Sequence, residues 1–134
     1  MRPSMVQQLA ALAILSLGAA CGGGGNSPTT PGTGGGTPGS SGATITIANG
    51  RVSPADVTIN AGQTVTFVNN DGRTRNVSSD PHPSHTDCPA VNAVGNLANG
   101  QSRQTAALTI RRTCGFHDHD DPANANVRGQ IIIR

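Results

Sequence analysis

The sequence has 134 residues with nine basic and seven acidic side chains, and every base is Arg while every acid is Asp. Residues 43–134, the part left after an export signal and a linker, hold eight Arg against seven Asp, which argues against the clustered basic face that a nucleic-acid partner needs. Those 92 residues suffice for one small domain, and with no Trp, no Tyr and two Phe its core must come from Val, Ile, Leu and Ala.

Residues 1–20 carry Arg2, an apolar run Leu9–Leu17 and the small residues Gly18, Ala19 and Ala20 ahead of Cys21, the order of a secretory signal. A Cys directly after small residues resembles the lipobox of bacterial lipoproteins, in which the thiol is acylated and becomes the new N-terminus. That pattern prefers Leu three places before the Cys, where this chain has Gly18, with Leu17 one place earlier. The resemblance implies lipidation at Cys21 and an exported, membrane-anchored lipoprotein facing the periplasm or the cell exterior. The other reading is an ordinary cleaved signal with a free thiol at Cys21. Residues 21–42 are almost all Gly, Pro, Ser and Thr, a composition that cannot bury enough apolar surface to order itself and reads as a flexible tether of roughly 25 Å. After residue 20 no stretch approaches the roughly 20 apolar residues that a bilayer-spanning helix requires.

From Ala43 the pattern turns to period two. Ile45 and Ile47, then Val57 and Ile59, then Val65 and Phe67 with Val68 mark short half-buried strands. Turn formers stand between them at Asn49-Gly50, Ser53-Pro54, Ala61-Gly62 and Asn69-Asn70-Asp71-Gly72. Further strands are expected at Thr74–Ser79, Ser102–Ile110, Arg112–His117 and Val127–Arg134, with at most a short helical turn within Ala90–Ala98. The spacing predicts an all-β sandwich of about seven strands.

Two cysteines fall in this domain, Cys88 and Cys114, and an even pair in an exported chain is more often a disulfide than anything else. All four histidines fall in two clusters, His82-Pro-Ser-His85 and His117-Asp-His119, each near one of the cysteines. Several imidazoles without a carboxylate ring favour copper or zinc. If residues 114–119 are extended, His117 and His119 share one face while Cys114 and Phe116 take the other. A backbone turned at Gly115 would instead bring Cys114 and His117 onto one metal as C-x-x-H. Both arrangements fit the spacing.

The order Val-Ser-Pro-Ala-Asp-Val-Thr-Ile-Asn-Ala-Gly-Gln-Thr-Val-Thr-Phe-Val-Asn-Asn-Asp (52–71), then Cys-Gly-Phe-His-Asp-His (114–119), then Gly-Gln-Ile-Ile-Ile-Arg (129–134), is similar to the cupredoxin family of plastocyanin and amicyanin. The resemblance covers nearly all of 43–134. It implies a two-sheet Greek-key sandwich and one-electron transfer at a copper held between two loops. Carried over residue by residue, the family's first His falls on Arg75, its Cys on Cys114, its second His on His117, and its axial Met on Asp120; the only Met residues are Met1 and Met5. Two of the four ligand places are therefore unfilled, and a fixed charge at Arg75 would repel a cation unless one of Asp118, Asp120 or Asp121 pairs with it. Related sequences that carry Tyr where Cys114 stands, and phytocyanins with a disulfide beside the copper, imply a Cys88–Cys114 bridge that gathers the four imidazoles at one end of the sandwich. The expected metal ligands are His117 and His119 with His82 or His85, and Cys114 only outside a disulfide.

The leading expectation is a membrane-anchored copper-binding protein for electron transfer or copper handling, working with a redox or copper-handling partner protein. The second is a metal-free sandwich acting as a surface interaction module. The chain lacks the Gly-x-Ser-x-Gly elbow, the His-Glu-x-x-His helix and the Cys-x-x-Cys pair, so a substrate-transforming enzyme ranks third.

Overall fold

The computed structural model describes residues 40–134; the expected signal, the lipidation site Cys21 and all but the end of the tether lie outside the described residues. The strands are β1 (Ser41–Ala48), β2 (Arg51–Ser53), β3 (Asp56–Ile59), β4 (Thr64–Asn69), β5 (Arg75–Ser79), β6 (Gly95–Leu97), β7 (Ser102–Gln104), β8 (Thr113–Asp118) and β9 (Arg128–Ile133). They form a four-stranded sheet in the order β2-β1-β4-β7 and a five-stranded sheet in the order β3-β9-β8-β5-β6. The pairs β1·β4 and β3·β9 are parallel and the others antiparallel.

The period-two pattern sets which side of each strand turns inward. Ile45 and Ile47, Val65 and Phe67, and Ile131 and Ile133 are all buried, and Phe67 meets Phe116 across the two sheets with ring centroids 5.1 Å apart, edge to face. With no larger aromatic available, this pair is the aromatic contact in a core otherwise made of Val, Ile, Leu and the two cysteines Cys88 and Cys114.

Several boundaries differ from the sequence reading, each for a local reason. Nine strands form rather than about seven. The additional β2 follows from Asn49 and Gly50, both at positive φ (52° and 70°), which make a two-residue hairpin joining Ala48 to Arg51. The strand expected at Ser102–Ile110 stops at Gln104, where the Thr105 hydroxyl accepts the Val65 N–H at 3.1 Å while the Thr105 N–H reaches the Val65 carbonyl. Beyond it only Leu108 makes an isolated bridge to Gln63, and Ile110 is exposed. Ala90–Ala98 holds a 3-10 turn at Val91–Ala93 and then β6. Val127 closes a second 3-10 turn, Ala125–Val127, whose entry is capped by the Asn124 side chain, so the last strand begins at Arg128. At the other end β1 begins at Ser41, inside the segment assigned to the tether. Gly42 is fixed there by space: a Cβ would lie 2.7 Å from Gln63 Oε1 and 2.8 Å from Ile59 Cγ2.

Candidate metal centre

Cys88 and Cys114 are joined by a disulfide with Cα atoms 5.7 Å apart, both buried in the core. Strand alternation sends Cys114 and Phe116 inward, so neither a thiolate ligand nor the C-x-x-H arrangement with His117 forms. The bridge ties the loop that follows β5 to strand β8. That loop carries His82 and His85, and β8 carries His117 and leads into His119.

On the opposite face of β8 the four histidines converge. One potential ligand atom from each of His82, His85, His117 and His119 lies within 4.8 Å of all the others. Ring centroids are 4.8 Å apart for His85 and His119, 5.0 Å for His82 and His119, and 5.1 Å for His85 and His117. His117 is buried, His85 and His119 are half-buried and His82 is exposed. In the register, His117 sits opposite Ser78 on β5 and opposite Arg128 on β9, so the cluster lies over the outer face of the five-stranded sheet. His117 is the penultimate residue of β8 and His119 follows its end, so the two meet the loop after β5 where β8 leaves the sheet.

The hydrogen bonds assign the ring nitrogens. His85 directs Nδ1 at the Ser79 carbonyl oxygen, 2.8 Å away; a carbonyl only accepts, so this nitrogen carries the proton and Nε2 is left as the donor to a ligand. His117 directs Nδ1 at Asp80 Oδ1 at 2.6 Å, which by the same argument leaves its Nε2 bare. That Nε2 is buried without any hydrogen-bond partner. Leaving a buried polar atom unpaired costs about 1–3 kcal/mol, so the arrangement suits a ligand that takes the lone pair. His119 Nδ1 stands 2.8 Å from His85 Nε2. Loss of solvent, then the neighbouring imidazoles of His119, His117 and His85, hold His82 below the ordinary histidine range. Two nitrogens on opposite sides of one ion would be about 4.1 Å apart at ordinary metal–imidazole distances, so gathering all four needs only a small contraction. His82 makes no hydrogen bond through its ring among the described residues and is the one free to move.

The family's expected copper place is filled differently. Arg75 is 1% exposed and lies between Asp71, which meets its Nε at 2.7 Å and also its Nη2, and Asp118, whose Oδ2 is 2.7 Å from Nη1. Burial opposes the charge on Asp71, but the Gly50 N–H and the Arg75 guanidinium outweigh it and hold the carboxyl below its usual range. Burial likewise opposes the Arg75 charge, and the bonds to Asp118 and Asp71 outweigh it and raise its pKa. Arg73, exposed, also faces Asp71 at 3.6 Å, so two cations meet two anions and the repulsion expected from Arg75 does not arise. Asp120, at the expected Met place, is exposed in a turn where its N–H donates to Asp118 Oδ1.

The sequence reading did not identify Asp80, the Ser79 carbonyl or Asp71. Asp80 had one available signal, since it stands two residues before His82 in a Pro-rich loop, but nothing in the spacing tied it to His117.

No family model and no curated protein matches the sequence. Solved structures do. A purple cupredoxin from Nitrosopumilus maritimus is 20% identical with a TM-score of 0.53 over 69% of this chain and 99% of its own. The amicyanin of Paracoccus versutus is 20% identical with a TM-score of 0.54 over 69% and 81%. The plastocyanin of Dryopteris crassirhizoma is 19% identical with a TM-score of 0.54 over 68% and 99%. At these identities the likeness speaks to architecture, and it agrees with the two-sheet topology: residues 40–134 form a cupredoxin-like domain.

Proposed function

We propose that the domain binds a copper ion through His82, His85, His117 and His119 and serves in copper handling at a membrane surface, tethered by an acyl chain on Cys21. The observation that carries this reading is the buried, partnerless Nε2 of His117 set among three other imidazoles. Imidazole suits copper and zinc alike, and copper(II) binds most tightly among the divalent first-row metals. Likeness of fold adds support, since amicyanin among the neighbours is described in its Cu(I) form. When bound, copper supplies a one-electron couple. The chain's own part is to hold four neutral nitrogens, two of them with their protons fixed on the far side of the ring by Asp80 and Ser79. With Cys114 in a disulfide the site lacks a thiolate, which favours loading and transfer of the ion to a copper-handling partner protein over fast electron exchange.

Titrating the full chain with Cu(II) under spin resonance and optical absorption tests this. One tightly held copper with nitrogen hyperfine structure and no intense thiolate band is expected, lost in His117→Ala. Absence of stoichiometric copper or zinc binding would overturn the proposal and leave a metal-free interaction module.

A further inference from the structure

We propose that Asp80 is the positioning residue of the histidine cluster and that Gly115 exists to seat it. This inference rests on the metal-binding reading above and adds what sets the geometry of its most buried ligand.

The Asp80 N–H donates to the Gly115 carbonyl at 3.0 Å, which places Asp80 level with Gly115 across the β5–β8 pair. Strand alternation puts position 115 on the same outer face as His117. Any side chain there would stand where the carboxylate lies: a Cβ at Gly115 would be 2.2 Å from Asp80 Oδ2 and 2.9 Å from Cγ. Gly115 does not have a positive φ, so the need is for space and not for backbone freedom. With that space open the carboxylate lies across β8, and Oδ1 reaches His117 Nδ1. Its other oxygen faces Arg128 Nη2 at 3.6 Å, and Arg128 is the β9 residue paired with His117. Arg128 is 47% exposed, too solvated to add much binding strength, so its part is to orient the carboxylate.

The consequence is chemical. An ionised carboxylate only accepts, so it fixes the proton of His117 on Nδ1 and presents Nε2 as a lone pair toward the other imidazoles. An ordinary surface Asp–His contact would not need a glycine cut out of the neighbouring strand. Here three residues, Gly115 and His117 on β8 and Asp80 in the loop after β5, make one device.

Two independent readouts test it on the full chain. In the metal-free state, long-range 1H–15N correlation on 15N-histidine protein reads the His117 tautomer, with Nδ1 protonated and Nε2 bare expected. Asp80→Ala is expected to mix the tautomers and lower copper affinity about 10–100-fold. Asp80→Asn keeps a carbonyl acceptor and is expected to retain the tautomer with a smaller loss. Gly115→Ala, with Asp80 still present, is expected to match Asp80→Ala, and to cost nothing further in an Asp80→Ala background. Unchanged tautomer in both Asp80→Ala and Gly115→Ala, or losses that simply add, would overturn the proposal. If Gly115→Ala does not fold, the Asp80→Ala and Asp80→Asn pair decides through the tautomer. If the wild-type chain binds no copper, the functional proposal fails while the tautomer still decides this one.

Discussion

The strand pair β5–β8 carries a polar cluster on each of its faces, and the two are built to opposite ends. On the inner face Arg75, Asp71 and Asp118 satisfy one another, with Asp118 Oδ1 also taking the Asn76 N–H at 3.1 Å and Asp71 taking the Gly50 N–H. On the outer face the histidines are held by Asp80 and Ser79, yet one buried nitrogen, His117 Nε2, is left unpaired. A cluster closed on itself has no capacity left for a ligand and contributes to the fold. One that ends in an unshared lone pair has spent its hydrogen bonds on aiming that lone pair.

The largest effects expected from this contrast are on the inner face. Arg75→Ala would leave Asp118 buried without its cation and Asp71 with only the exposed Arg73, and should lower unfolding free energy by about 3–5 kcal/mol, measured by denaturant titration. At denaturant concentrations where the variant is still folded, its copper affinity should match wild type. Loss of copper binding in the folded variant would show that the two faces are one site. Removing the bridge with Cys88→Ser and Cys114→Ser should cost about 3.5 kcal/mol on the chain-entropy estimate for a separation of 26 residues. It differs from Arg75→Ala in reaching both faces, because the bridge also restrains the loop bearing His82 and His85. Copper affinity should therefore fall along with stability.

Within the outer cluster the effects should grade with anchoring. His117 has its proton held by Asp80 and is buried, whereas His82 is exposed and makes no ring hydrogen bond among the described residues. Isothermal titration should show a larger affinity loss for His117→Ala than for His82→Ala, since a pre-set ligand loses less freedom on binding. Equal losses would mean that His82 is as firmly set as His117, and would remove the basis for ranking them.

These two clusters were unequally legible in the sequence. The inward positions of Ile45 and Phe67 followed from strand period, whereas the pairing of His117 with His119 on one face, with Cys114 turned inward, was one of two arrangements that the spacing allowed. Their meeting with His82 and His85 rested on the disulfide, which local pattern makes plausible but cannot place. The Asp80 contact was illegible because it joins residues 37 positions apart. Its seat at Gly115 looks like any other glycine until the opposing side chain is known. The Arg75 triad was half visible: Asp118 stood among the candidate partners, but Asp71, four residues before Arg75, was read only as part of a turn. Hairpin β2 was missed although Asn49-Gly50 announces it, because a strand of three residues with only Val52 turned inward shows no period-two pattern.

Acid should separate the faces without any mutation. Asp71 has its carboxyl held below its ordinary value of 3.8, so between that value and its folded one the unfolded chain binds more protons. Its contribution to stability is therefore complete above the ordinary value and is lost as pH falls through the lower, folded one. Metal binding fails sooner, because protons compete with the ion for the imidazole lone pairs and a protonated ring cannot ligate. His82 is held neutral further into acid by its surroundings. On acidification of the loaded chain, the copper spin-resonance signal should be released at a higher pH than the one at which circular dichroism reports loss of the sheets. Coincident transitions would mean that the ion carries the fold, and that the inner triad is not the independent support its geometry makes it.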